Sequence, residues 1–103
     1  MKRKTINYDK NKLRTFKAIH NVVIALGFDT LKTDKSTGTI KFTTKKKYLI
    51  FGGTGFTIIA NEVSERNTAV TVSSEDDISQ NDFQKMANNI FTKMDKELPI
   101  EPI

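Results

Sequence analysis

The apolar residues of this chain change their spacing twice, and those changes constrain the fold more than any other feature. From Phe16 to Leu26 they recur every third or fourth residue, from Ile40 to Val72 mostly every second, and from Phe83 to Leu98 every third or fourth again. The first and last patterns put one apolar stripe on a helix, and the middle one puts one apolar face on extended strands.

The first helix is predicted over residues 9–26, with Asp9 as N-cap and Gly27 as left-handed C-cap. Phe16, Ile19, Val22, Val23 and Leu26 share its apolar face, with Arg14, Lys17 and Asn21 opposite. Leu13 falls just past the apolar edge, Ile24 falls on the polar side, and His20 sits at the boundary. Strands are then predicted over residues 28–34, 39–44, 56–63 and 68–74, the first two joined by the turn residues of Lys35-Ser36-Thr37-Gly38. Ile40, Phe42, Phe56, Ile58, Ala60, Val70 and Val72 take one face, and a threonine-rich set takes the other, with Ile59 its lone aliphatic residue. Ser79, followed by Asp82, caps a last helix that Pro99 stops. The expectation is therefore an α+β two-layer sandwich of order αββββα. A four-stranded antiparallel meander carries the N- and C-terminal helices on one face. Residues 1–8 are expected as a flexible basic tail, 9–98 as a single domain and 99–103 as a loose C-terminal tail.

The composition excludes several chemistries. With 103 residues the chain has room for one core, and with no cysteine it has no disulfide, thiolate nucleophile or thiolate metal ligand. Its one histidine, His20, has Lys17 and Ile24 as helical neighbours rather than an acid or a nucleophile. Glu75, Asp76 and Asp77 lack the alternating spacing of a calcium loop and suit the approach to a helix N-terminus. No carboxylate falls at an apolar position where its pKa would rise enough for acid–base work. Neither a catalytic residue nor a cofactor or metal site is expected.

The stretch KKKYLIFGGTGFTII joins a lysine cluster to glycines, as phosphate-binding loops do. In such loops the glycines open a helix, whose N-terminal N–H groups hold the anion. Here Phe-Thr-Ile-Ile follows, which extends, so the glycines are read as turn residues. An apolar side chain exposed beside the lysines would make this the best contact surface in the sequence.

Charge is unevenly spread. Residues 1–50 hold thirteen bases against three acids, and residues 51–103 hold four against nine. The candidate contact surface is Lys2, Arg3, Lys4, Lys41, Lys45, Lys46, Lys47, Tyr48 and Phe51. A protein partner or a second copy of the chain is the first expectation. Nucleic acid or an anionic lipid surface, held through Lys2, Arg3, Lys4 and Lys45, Lys46 and Lys47, is the alternative. The start MKRK is not followed by an apolar stretch and no run is long enough to span a bilayer. The expected location is the cytoplasm, or the envelope if a longer precursor was cut.

The segments GFDTLKTDKSTGTIKF, GFTIIANEVSERNTAVTVSS and SQNDFQKMANNIFTKM together resemble a pattern of small bacterial domains of unknown function. In these a helix ends in Gly-Phe, a T-G-x-I hairpin and a V-x-V-x-S strand follow, and an Asn-rich turn opens a final helix. The resemblance covers about residues 10–98 and implies the αββββα fold and no catalytic residue. Some relatives look like envelope lipoproteins, whose signal and lipid-attachment cysteine this sequence lacks.

Overall fold

The computed structural model describes residues 2–43, 55–75 and 78–98. Strand β1 (Arg3–Tyr8) is followed by helix α1 (Lys12–Ala25) and strands β2 (Asp29–Asp34), β3 (Thr39–Thr43), β4 (Gly55–Ser64) and β5 (Asn67–Ser74). Helix α2 (Gln80–Glu97) comes last. The strands form one antiparallel sheet in the order β1-β5-β4-β3-β2.

The expected four-stranded meander is thus corrected to a five-stranded sheet. Strands β2 to β5 follow one another as a meander, and β1 closes its far side against β5. Residues 3–8, expected as a flexible basic tail, are that fifth strand. Lys4, Ile6 and Tyr8 pair with Val72, Val70 and Thr68 on the inner face, while Arg3, Thr5 and Asn7 pair with Ser73, Thr71 and Ala69 on the outer one. Tyr8 is buried and Ile6 packs against the core. Burying two such side chains offsets the entropy of ordering a short strand, to which a fully polar tail has no answer. The expected loose residues 99–103 lie outside the described residues.

Because β1 runs to Tyr8, α1 starts later than Asp9. Asn11 is the N-cap, its side chain accepting from the Arg14 N–H at 2.8 Å. The other end follows the sequence: Gly27 has φ 75, the Gly27 N–H donates to the Ile24 carbonyl, and the Phe28 N–H donates to that of Val23. These are the two bonds of a Schellman motif, and buried Phe28 and Val23 supply its apolar contact. Ser79 caps α2 by accepting from the Asp82 N–H at 3.1 Å.

The core lies between the helices and the inner face of the sheet. Ile40, Phe42, Phe56, Ile58, Ala60, Val70 and Val72 have no exposed surface, and Ile19, Val23, Ala87, Ile90 and Met94 meet them from the helices. A stack of rings crosses it: Phe28 to Phe42 at 4.9 Å, Phe42 to Phe56 at 5.5 Å, and Phe56 to Phe83 at 6.5 Å. The stack links the end of α1, two strands and α2, and each offset pair adds about 0.5–1.5 kcal/mol beyond its burial.

Candidate binding groove

Helix α1 buries Phe16, Ala18, Ile19, Val22 and Val23 and turns a second stripe away from the core. Leu13, Lys17, His20 and Ile24 stand at i, i+4, i+7 and i+11, which a helix brings to one side. Leu13 and Ile24 are more than half exposed. The helix carries three bases, Lys12, Arg14 and Lys17, and no acid.

Alongside this helix runs β2, the end strand of the sheet, exposed over nearly all its length. Its register against β3 slips between Thr30 and Lys32, so Leu31 sits at the irregularity, 66% exposed. The turn after β2 is held by Asp34, whose carboxylate accepts from the Ser36 hydroxyl at 2.6 Å and the Ser36 N–H at 3.0 Å. The hydroxyl bond above all, with help from the Thr37 and Ser36 N–H groups and Lys32, holds the Asp34 carboxyl below its usual pKa. Gly38 closes the turn at φ 72, its carbonyl accepting from the Ala60 N–H at 2.8 Å.

Between α1 and this edge lie two adjoining hollows of about 620 and 570 Å³ that share Phe16 and Lys35. Leu13, Phe16, Lys17 and His20 form the helix wall, and Thr33 and Lys35 form the strand wall. Lys12 reaches across one end, its ammonium 3.4 Å from the Ser36 carbonyl. Glu62 is the one acid among the described residues that line the two hollows. Among the described residues the ammonium groups of Lys17 and Lys35 have no hydrogen-bond or ion-pair partner. The helix wall is therefore apolar at Leu13 and Phe16, and three lysines, Lys12, Lys17 and Lys35, stand against Glu62 alone among the described residues.

A third hollow, of about 490 Å³, lies between the start of α1 and the β4–β5 turn. Its bases Lys10, Arg14 and Arg66 stand with Asp9 and Glu65, and the buried Lys10 ammonium is 3.3 Å from the Asp9 carboxylate. This hollow largely balances its own charge.

Among the described residues, those singled out in the sequence lie apart. Lys2 uses its carbonyl to pair with the Ser74 N–H. Arg3 and Lys41 are exposed on the outer face, on strands separated by β5 and β4. Lys4 points to the helix side, its ammonium 3.2 Å from the Asn88 side-chain oxygen and 5.7 Å from the centre of the Phe91 ring. Lys45, Lys46, Lys47, Tyr48 and Phe51 lie outside the described residues. The outer face is polar, with a Thr5–Thr71 hydroxyl pair at 2.8 Å and Thr57 donating to the Glu75 carboxylate. The sequence does not bring the two walls of the groove together, because they lie far apart along the chain. The signal available was Leu13 and Ile24 on the wrong side of a helix rich in bases.

Among the described residues no group of three or more His, Cys, Asp or Glu side chains comes together to hold a metal ion. His20 lines the groove with Lys17, Asn21 and Thr33 and no acid. No helix among these residues is long and apolar enough to cross a membrane.

No family model matches the sequence, and no curated protein matches it. Solved structures do share its architecture. TTHA0849 from Thermus thermophilus superposes with a TM-score of 0.57 at 9% identity, covering 93% of this chain and 94% of that one. Ara h 8.0201 superposes with a TM-score of 0.53 at 11% identity, covering 94% and 95%. At such identities the likeness is one of fold alone: this chain is similar to both as a small α/β structure, an antiparallel sheet packed with helices.

Proposed function

We propose that this protein is a non-enzymatic binding module and that the groove between α1 and β2 is its working surface. The observation that carries the reading is an apolar stretch of the helix wall, Leu13 and Phe16, beside Lys17 and Lys35, whose ammonium groups have no bonded partner among the described residues. Solvated lysines alone need no explanation, but lysines bordering an apolar hollow suit a ligand that is both apolar and anionic. The resemblance to small bacterial domains without catalytic residues agrees with this.

The test is the binding of 8-anilinonaphthalene-1-sulfonate, an apolar anion, to the folded protein. The dye is expected to brighten on the native chain, and Leu13→Asp and Lys17→Glu are each expected to reduce that signal with the circular dichroism unchanged. A native chain that does not brighten the dye, or variants that bind it as well, would overturn the reading.

A second reading has one observation in its favour: Arg3 and Lys41 both stand exposed on the outer face. In this reading that face holds a polyanion. Labelled single-stranded DNA and RNA should then bind with an affinity that falls steeply between about 50 and 200 mM salt. Absence of binding at the lowest salt rejects it.

A further inference from the structure

The groove is bounded on one side by a helix and on the other by the edge of a sheet. Among the described residues strand β2 is bonded to β3 alone, so the backbone N–H and C=O groups on its other side have no strand partner there. An extended chain laid along such an edge gains main-chain hydrogen bonds from the strand, and its alternate side chains drop to one face. Beside β2 that face is the groove, because Thr33 pairs with inward-facing Ile40 and lines the hollow with Phe16, Lys17 and His20.

We infer that the groove takes an extended segment of a partner protein, which adds to β2 as a sixth strand. Its groove-facing positions carry acidic and apolar side chains. The inference rests on the binding-module reading above and specifies its ligand. Charge selects the acids: the ammonium groups of Lys17 on the helix wall and Lys35 on the strand wall are both unpaired among the described residues, against Glu62 at one end. Leu13, 56% exposed, supplies the apolar contact. The register slip at Leu31 splits the pairing of β2 into Asp29 and Thr30 before it and Lys32, Thr33 and Asp34 after it, and the second part is the edge beside the groove. The same slip opposes long edge-to-edge pairing between two copies.

The probe is acetyl-Thr-Glu-Thr-Val-Thr-Glu-Thr-amide, which places Glu, Val and Glu on one face when extended. It is titrated into the 15N-labelled full chain, followed by amide shifts and hydrogen exchange. Shifts are expected in residues 13–20 and 31–35, with slowed exchange of β2 amides. N-methylation of alternate peptide nitrogens on the pairing side should abolish binding. Reversing both lysines, Lys17→Glu with Lys35→Glu, should weaken it about tenfold, as expected for two exposed charge pairs. If the N-methylated peptide binds as well, or a helical Glu/Leu peptide binds the same residues more tightly, strand addition is wrong while the groove remains a binding site. Concentration-dependent shifts of β2 without peptide would make the occupant a second copy and overturn the inference. If neither peptide shifts the groove and the dye does not bind, both readings fall.

Discussion

Two glycines at almost the same φ separate the cost of a left-handed backbone from the cost of a close contact. Gly27 has φ 75 and Gly38 φ 72, so alanine meets a similar torsional penalty at both, about 1–2 kcal/mol. A methyl group on Gly27 would meet no atom within 4 Å, whereas one on Gly38 would lie 2.4 Å from the Ala60 carbonyl oxygen. That oxygen is backbone in the middle of β4 and cannot swing aside. Relieving the clash means moving the turn away from β4, which stretches the 2.8 Å bond from the Ala60 N–H to the Gly38 carbonyl. Losing that bond costs about 1 kcal/mol more, and the displaced β2–β3 hairpin loosens its grip on the core. Gly27→Ala is therefore expected to cost about 1–2 kcal/mol and Gly38→Ala about 3 kcal/mol or more. Urea titrations by circular dichroism measure both. With a slope of about 1–3 kcal/mol/M, the two midpoints should be resolved by roughly a third of a molar or more. Equal midpoints would refute the reasoning, since they would mean that torsion alone sets the cost. Because Gly38 also fixes the turn that carries Lys35, Gly38→Ala should weaken dye binding in the groove, and Gly27→Ala should not.

Deleting residues 1–8 removes β1 with buried Tyr8 and half-buried Ile6, and should lower stability by about 3 kcal/mol or more. A loss under about 0.5 kcal/mol in urea, as for a surface change, would return the segment to a tail. Tyr8 titrates well above the ordinary phenol range, chiefly because it is buried, and further because the Asp95 carboxylate lies 3.4 Å from its hydroxyl. With the folded pKa raised, its contribution is complete below the unfolded value of about 10 and is lost as pH rises past it. The stability advantage of the native chain over Tyr8→Phe should therefore shrink between about pH 9 and pH 11, and a constant gap would contradict the assignment. Asp34, held low by the Ser36 hydroxyl, should titrate below an ordinary aspartate by NMR, and Ser36→Ala should raise its midpoint. No change on that substitution would remove the hydroxyl as the cause.

The parts of the fold legible in the sequence are those whose partners are close along the chain. The meander from β2 to β5 is drawn by alternating residues such as Ile40, Phe42, Phe56 and Ile58, and each strand meets the next in chain order. The end of α1 is equally local, since Gly27 and Phe28 complete a motif with Ile24 and Val23. Strand β1 is another matter: Arg3 pairs with Ser73, and nothing within RKTINY says which edge it joins or that it joins one. Its alternation was present, with Ile6 and Tyr8 two apart, but two charges at its start hid it. The helix wall of the groove could be read from Leu13 and Ile24. The strand wall could not, because Thr33 and Lys35 become neighbours of Phe16 only once β2 lies at the sheet edge beside α1.

The missing strand changes which edges of the sheet are available to a partner. In a four-stranded meander β5 would end the sheet, and its free side would expose a long regular strand run next to Val70 and Val72. With β1 bonded along six residue pairs, that side is closed, and the described sheet ends at β1 and β2. The β1 edge begins with Arg3 and Lys4, charges that discourage pairing, and Lys4 is already committed to Asn88 and Phe91. The β2 edge has its own guard in the slip at Leu31, but beyond the slip Lys32, Thr33 and Asp34 run regularly beside a hollow. The proposed partner segment would meet backbone groups and an apolar side-chain site together at β2, with Lys17 and Lys35 facing its acids. Residues 3–8 thus close one edge of the sheet, and the proposed strand addition needs only the other.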